Sequence, residues 1–481
     1  MAQSGIDTLL RRVVRHSRTP RSLPTLLWKN IRYAIDSRRP EYWSELAREQ
    51  AERGQDEEAL ECYDRALRLK PDVPQWLIGR GNALRNLGRF ATAEASLRRA
   101  LQLRPESAVA HLGLGNILYS LGRVTEAQES YRTALRLQPK LPRARFLLGR
   151  ALLRAGQFEE GWKEFEGRWR VEQSTPPFCS PSWNGEAIGD RVLLLFACFG
   201  EGQGDAIQFC RYVPQIAAGA GRIILVVPPS LVRIMSRLPG VGECIAPRGS
   251  LPAFDLHSSL MRLPHVLWDK LDSIPAAAPY LAADPADVAH WRNRLTDVKG
   301  LRVGLCWAGE PSGSPGYLAW NRRRSMRFDT LAPLSAIPGV QFISLQKGLP
   351  AVEASCPPHG MKLHDFTADL HDFADTAALI ENLDLVISID TAVAHLAGAL
   401  GKPTWLLNPF DACWRWLLDR DDSPWYPSLR QFRQPTPWDW QSVVRGVADA
   451  LQRLAAGDQS QLRPPTQVHS ECAPRIGIWS V

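Results

Sequence analysis

The chain has 481 residues, 45% of them hydrophobic and 22% charged, with a formal charge of +8. That length exceeds one hydrophobic core and predicts about three domains, and the ordinary composition excludes a wholly disordered or collagen-like chain. The basic balance favours anionic partners, among them nucleotides, phosphosugars, nucleic acid and membrane surfaces.

Residues 1–39 read as a basic leader, in which Arg11, Arg12, Arg15, Arg18, Arg21, Lys29, Arg32, Arg38 and Arg39 face only Asp7 and Asp36. It lacks the apolar core and cleavage site of a secretory signal, and no later run is long and apolar enough to span a bilayer. The nine cysteines are odd in number and include no C-x-x-C pair. They predict reduced thiols in a cytoplasmic protein and no metal site.

A 34-residue period comes next, marked by Pro71, Pro105 and Pro139. Ahead of each proline stands an A-L pair (Ala66-Leu67, Ala100-Leu101, Ala134-Leu135), and earlier still Gly54, Gly88 and Gly122, then Ala59, Ala93 and Ala127. Small residues at fixed offsets let the two helices of a hairpin approach closely, and the proline ends the second helix. The period resembles the tetratricopeptide repeat over residues 40–173, an α-solenoid that offers a groove to a partner. A fourth unit, with Gly149, Gly156, Gly161 and Phe165, carries Arg168 in place of a small residue and is expected to cap the stack.

A Pro- and Ser-rich linker opens the remainder at 174, and the hydrophobic pattern then changes. Residues 191–198 and 222–227 read as buried strands separated by a glycine-rich loop and a helix over 205–218; residues 254–256 suggest a short third strand. A boundary is expected near 297. Beyond it, strands are predicted at 301–307 and 340–346, a polar loop at 308–324, and helices at 328–337 and 372–382. Residues 383–407 give strand, helix and strand: an apolar run ends at Asp390-Thr391, residues 392–400 have helical spacing, and Gly401 suits the helix end. A tryptophan-rich loop, a helix over 438–454 and a disordered tail over 458–481 follow. Two successive parallel α/β halves, 174–296 and 297–457, predict twin Rossmann-like domains around a cleft.

A short strand-to-helix loop aims free helix N–H groups at an anion. A dinucleotide reading of Gly200-Glu201-Gly202-Gln203-Gly204-Asp205 fails, because Asp205 stands where a third glycine belongs and no acid ends the next strand. Asp205 is either a cap of the helix it begins or a group at the cleft mouth.

Longer motifs carry a specific resemblance. They include Gly204-Asp205-Ala206-Ile207-Gln208-Phe209, Val303-Gly304-Leu305-Cys306-Trp307-Ala308-Gly309, Ser344-Leu345-Gln346-Lys347, Asp372-Phe373-Ala374-Asp375-Thr376-Ala377, Asp390-Thr391-Ala392-Val393-Ala394-His395-Leu396-Ala397-Gly398, and Ser423-Pro424-Trp425-Tyr426-Pro427. Together they resemble bacterial tetratricopeptide proteins with a heptosyltransferase-like glycosyltransferase domain of the GT-B fold. The resemblance implies sugar transfer from a nucleotide-diphosphate donor, inverting, with neither metal nor cofactor. It implies Asp205 as the base acting on the acceptor hydroxyl, from a loop that includes Gly202 and Gly204. Donor binding falls to Thr391, Ala392 and Val393 through their amides, to Lys347 and Arg324 as cations, to Asp390 on sugar hydroxyls, and to His395 on the donor or in the core. Asn321 stands where relatives carry an acid, and Glu201 is displaced from its usual place. The implied partners are a nucleotide-sugar and a protein or glycan acceptor in the repeat groove. Nucleic acid is not expected, and peripheral membrane contact is left open. The alternative is a non-catalytic tetratricopeptide interaction protein with a degenerate nucleotide-sugar-binding domain.

Overall fold

The computed structural model describes residues 38–168, 178–197, 202–217, 219–247, 250–267, 274–311 and 313–464. The basic leader up to 37, Gly200 and Glu201, and the tail beyond 464 lie outside the described residues. The chain divides into two compact units, residues 1–117 with 313–319, and 118–312 with 320–481.

The first unit contains helices α1 (Pro40–Glu52), α2 (Asp56–Leu69), α3 (Pro74–Asn86) and α4 (Phe90–Leu103), and most of α5 (Ala108–Ser120). The repeat signature has a direct structural cause. Ala59 and Ala93 are fully buried where helices cross. A Cβ on Gly81 would overlap Leu97 of the neighbouring helix, at 1.8 Å from its Cδ2. Gly54 and Gly88 have φ of +75°, the left-handed conformation that closes a helix and that glycine adopts without steric cost.

In the second unit the helical pattern continues through α6 (Val124–Leu137), α7 (Pro142–Arg154) and α8 (Phe158–Phe165). The last hairpin, α7–α8, packs into the α/β region. Trp162 of α8 meets Phe209 and Trp414 edge-on, with ring centroids at 6.0 and 5.2 Å, and Phe158 stacks on Trp425 at 6.1 Å. Arg168, which the repeat pattern marks as out of place, is buried and donates to Glu166 at 3.0 Å and Ser259 at 3.5 Å.

The α/β region holds two parallel sheets. The first comprises β1 (Gly189–Phe196), β2 (Ala220–Val226), β3 (Glu243–Ile245) and β4 (Leu256–Ser259), in the order β3-β2-β1-β4. The second comprises β5 (Leu301–Cys306), β6 (Val340–Ser344), β7 (Leu363–His364), β8 (Leu385–Ile389), β9 (Thr404–Asn408) and β10 (Leu429–Arg433), in the order β10-β9-β8-β5-β6-β7. Leu193–Phe196, Leu385–Ile389 and Thr404–Asn408 are buried throughout, as strands covered on both faces must be. The architecture is a tetratricopeptide solenoid followed by two Rossmann-like halves.

Several elements depart from the sequence pattern for identifiable reasons. The glycine-bearing stretch expected as a loop contains a helix, Pro315–Arg324, which starts at proline, a residue suited to a first turn. Residues Phe328–Ala336 form a 3-10 helix, with Pro333 removing an N–H from its interior. Strand β10 lies inside the expected tryptophan-rich loop. Its sequence, LRQFR, carries two arginines because it is the edge strand, paired on one side with β9. The turn Gln459–Leu462 falls within the stretch read as tail, and there the Gln461 carbonyl accepts a bond from Trp405 Nε1 at 3.1 Å.

Candidate active site

In the four-stranded half, the chain leaves β1 and enters α9 (Gln203–Phe209). Gly202 is the N-cap residue, so Asp205 is the third helical residue. Its Oδ2 accepts from the Gly202 N–H at 2.8 Å, closing the first turn. The capping role is therefore real, and it uses one oxygen. The other, Oδ1, accepts from Nη2 of Arg415, which lies beyond β9 in the six-stranded half. The same guanidinium donates from Nε to Gln208 Oε1, one turn along α9. The Asp205 side chain is 24% exposed and that of Arg415 only 9%, so the carboxylate is reachable from solvent while its partner is not.

In the six-stranded half, β8 ends at Ile389 and α13 (Ala392–Ala399) begins three residues later; between α9 and it lie α10 (Pro229–Met235), α11 (Pro285–Arg294) and α12 (Phe373–Glu381). The first ladder bond of α13 joins Ala394 N–H to Thr391 O at 3.1 Å. The amides of Ala392 and Val393 precede that bond and sit at the positive end of the helix. Thr391 does not cap with its side chain; its Oγ1 lies 3.1 Å from Ser388 Oγ and 3.6 Å from Cys306 Sγ. Asp390 is 5% exposed, and burial raises its carboxyl above the usual range against the opposing pull of Arg324.

His395, one turn into α13, is buried. Its Nδ1 is 2.8 Å from Tyr426 Oη, its ring stacks on Trp416 at 5.3 Å, and Nε2 is 3.8 Å from Asp390 Oδ1. Burial, reinforced by Arg415, Arg211 and Arg324, holds its pKa well below 6.5, so the ring is neutral at physiological pH. A Cβ on Gly204 would stand 2.9 Å from His395 Cδ2 and 3.6 Å from Ala392 Cα. The first turns of α9 and α13 are thus in direct contact.

The two cations named by the sequence are anchored on main-chain carbonyls. Arg324 donates from Nη1 to Asp390 O at 2.6 Å and from Nε to Asn321 Oδ1 at 2.9 Å, with its guanidinium 4.0 Å above the Trp320 ring. Lys347 donates to Thr367 O at 2.7 Å. Asn321 also donates to Gly309 O at 3.1 Å. An ionised acid at this buried position could accept from Arg324 but could not donate to Gly309. The fold therefore gathers Gly204, Asp205, Asp390, Ala392, His395 and Arg324 around the two helix starts, while the Lys347 ammonium ends on the 3-10 turn at Thr367.

Sequence reasoning passed over Arg415 and gave Arg211, Gln346 and Tyr426 no role. Arg211 is buried and donates from Nη1 to Trp425 O at 2.7 Å and from Nη2 to Tyr280 Oη at 3.0 Å, joining the halves. Gln346 Oε1 accepts from the amides of Trp307 at 3.0 Å and Ala308 at 2.9 Å, fixing the loop after β5. No motif flags Arg415, which lies between two tryptophans. Trp414, Trp416 and Trp425 of this loop are packing residues, all three at most 2% exposed.

Comparison with known proteins follows the same division. Tetratricopeptide repeat models match residues 44–108, 84–133 and 115–156. The model described as glycosyltransferase family 9 (heptosyltransferase) matches residues 370–407, which run from α12 through α13 to β9. Protein FlbA of Caulobacter vibrioides is 28% identical over 303 residues, covering 57% of this chain and 48% of FlbA. The match thus spans about half the length of that curated relative. Among solved structures, the tetratricopeptide domain of Arabidopsis OM64 is 25% identical with a TM-score of 0.23, covering 24% of this chain and 96% of its own. MamA from Desulfovibrio magneticus RS-1 is 18% identical with a TM-score of 0.28, covering 35% of this chain and 94% of its own. Among the described residues no helix is long and apolar enough to cross a membrane. The chain carries tetratricopeptide repeats, and its six-stranded half is similar to glycosyltransferase family 9 (heptosyltransferase) over residues 370–407.

Proposed function

We propose that the α/β region moves a sugar from a nucleotide-diphosphate donor to a hydroxyl of a protein or glycan, with inversion and without a metal, in the cytoplasm. The observation that carries this reading is the meeting of α9 and α13 at their first turns, with Asp205 on one and, on the other, the amides of Ala392 and Val393 ahead of the Ala394-to-Thr391 bond. In the reaction, the acceptor oxygen bonds to the anomeric carbon as its proton passes to Asp205. The bond from that carbon to the diphosphate breaks, and the leaving oxygen takes the electron pair. Each Asp205 oxygen retains a lone pair beyond its present bond, so the carboxylate can still accept that proton. The amides of Thr391, Ala392 and Val393 suit the diphosphate, since a helix start stabilises negative charge that grows on the leaving group. Arg324 supports them by holding the Asp390 carbonyl and adding charge beside the helix start. Asp390 takes donor sugar hydroxyls, and Lys347 adds a cation on the far side of the loop. The repeats recruit the acceptor.

The test is turnover of UDP-, GDP-, ADP- and CMP-sugars with cell extract as acceptor, comparing wild type with Asp205→Asn, which keeps the shape and the capping oxygen. Loss of transfer with retained donor binding is expected; an Asp205→Asn protein of unchanged rate removes Asp205 as base. A second reading, a nucleotide-sugar-binding interaction protein, draws on the fact that both Asp205 oxygens already hold partners. Donor binding without turnover in the wild type would favour it.

A further inference from the structure

We propose that Arg415 is the positioning residue of the Asp205 carboxylate, carried on the donor-side half so that the base is aimed only where the two halves meet. The inference rests on the glycosyl-transfer reading and adds a residue to it. Arg415 has no part in any motif the sequence singled out.

The geometry suits a guanidinium and no other side chain. Asp205 and Gln208 are three residues apart on α9 and share one face. The Arg415 fork serves both, from Nη2 and Nε. A lysine has a single ammonium and cannot reproduce two diverging bonds from a rigid plane. Arg415 is itself held in place. Its Nη1 lies 3.2 Å from Cys413 Sγ, its carbonyl accepts from Trp425 Nε1 at 3.0 Å, and its guanidinium sits 4.5 Å over the Trp414 ring. The orientation of the carboxylate is therefore set by a shell of buried tryptophans on the opposite half.

A purely structural tie explains this less well. Arg211 already links the halves through a buried bond to Trp425 O, and the packing of Phe209 on Trp425, ring centroids 5.9 Å apart, adds to it. The Asp205 end of the pair is 24% exposed although Arg415 is buried, so the carboxylate stays open to a ligand while its partner does not. What the pair does achieve is to fix the second oxygen of a carboxylate whose first is fixed by Gly202. A base pinned at both oxygens needs no reorientation when an acceptor hydroxyl arrives at the first turn of α9. Arg415 keeps its own proton throughout.

The experiment uses the full chain with whichever of the UDP-, GDP-, ADP- or CMP-sugars is turned over. Arg415→Ala should lower kcat about 100-fold, the scale of a misaligned acid–base group, while donor KM changes by no more than about twofold. Arg415→Lys should recover part of the rate, and methylguanidinium should restore part of it to Arg415→Ala. In an Asp205→Asn background, Arg415→Ala should cost less than about threefold more, since groups acting as one unit are not additive. Raised donor KM at unchanged kcat would make Arg415 a donor ligand and overturn the proposal. So would multiplying losses in the double variant, or an Arg415→Lys protein with wild-type kcat, and this last result decides the matter even where Arg415→Ala does not fold. A wild type inactive on every donor overturns both this and the transfer reading. Failure confined to the Arg415 variants leaves the Asp205→Asn loss standing.

Discussion

Gly204 and His395 touch across the two halves of the α/β region, with room for no side chain on the glycine: an added Cβ would stand 2.9 Å from His395 Cδ2. The imidazole cannot retreat, because it stacks on Trp416 and holds Tyr426. Gly204→Ala should destabilise the protein by about 1–3 kcal/mol, the usual cost of overpacking. Denaturant titration measures it. Transfer should fall further than stability, because α9 carries Asp205 and must shift to relieve the clash.

His395 makes stability depend on pH. Its folded pKa lies well below 6.5, so below pH 6.5 the unfolded chain binds a proton that the folded chain refuses. Stability from this group is present above pH 6.5 and lost as pH falls toward the folded value. His257, His265 and His364 are shifted the same way by burial, so the wild-type slope is a sum. His395→Gln should flatten the decline between pH 6.5 and 5 without abolishing it. Unfolding free energies of both proteins over that range give the comparison; identical slopes would mean that His395 does not titrate as described.

Arg324 supports the start of α13 from below. Replacing it with methionine leaves the Asp390 carbonyl and the Asn321 amide oxygen without their charged donor. A loss of about 1.5–3 kcal/mol is expected from bonds of this kind. Isothermal titration with a nucleoside diphosphate should show weaker binding in Arg324→Met, whereas Asp205→Asn should bind as the wild type does.

Trp162 is the hinge of the last repeat hairpin against the α/β core. It packs on Phe158, Phe165, Phe209 and Trp414 and is 2% exposed. Trp162→Ala should cost about 3–5 kcal/mol. Limited proteolysis should then cut between residues 155 and 168 faster than in the wild type; equal rates would mean that the hairpin is held some other way.

The sequence by itself determined what is local. A 34-residue spacing of glycine, alanine and proline specifies helical hairpins because each marks a close crossing, a left-handed turn or a helix end. Mainly apolar runs such as 385–389 and 404–407 specify strands buried on both faces. Asp205 and the start of α13 were likewise legible, being tied to single strand-to-helix turns. Tertiary structure decided what those groups meet. Arg415 is 210 residues from Asp205 in the chain, and Gly204 meets His395 from another sheet. Such pairings follow from how two sheets pack, which side-chain period cannot express. The same packing places arginine between buried tryptophans, where composition alone suggests only a hydrophobic loop.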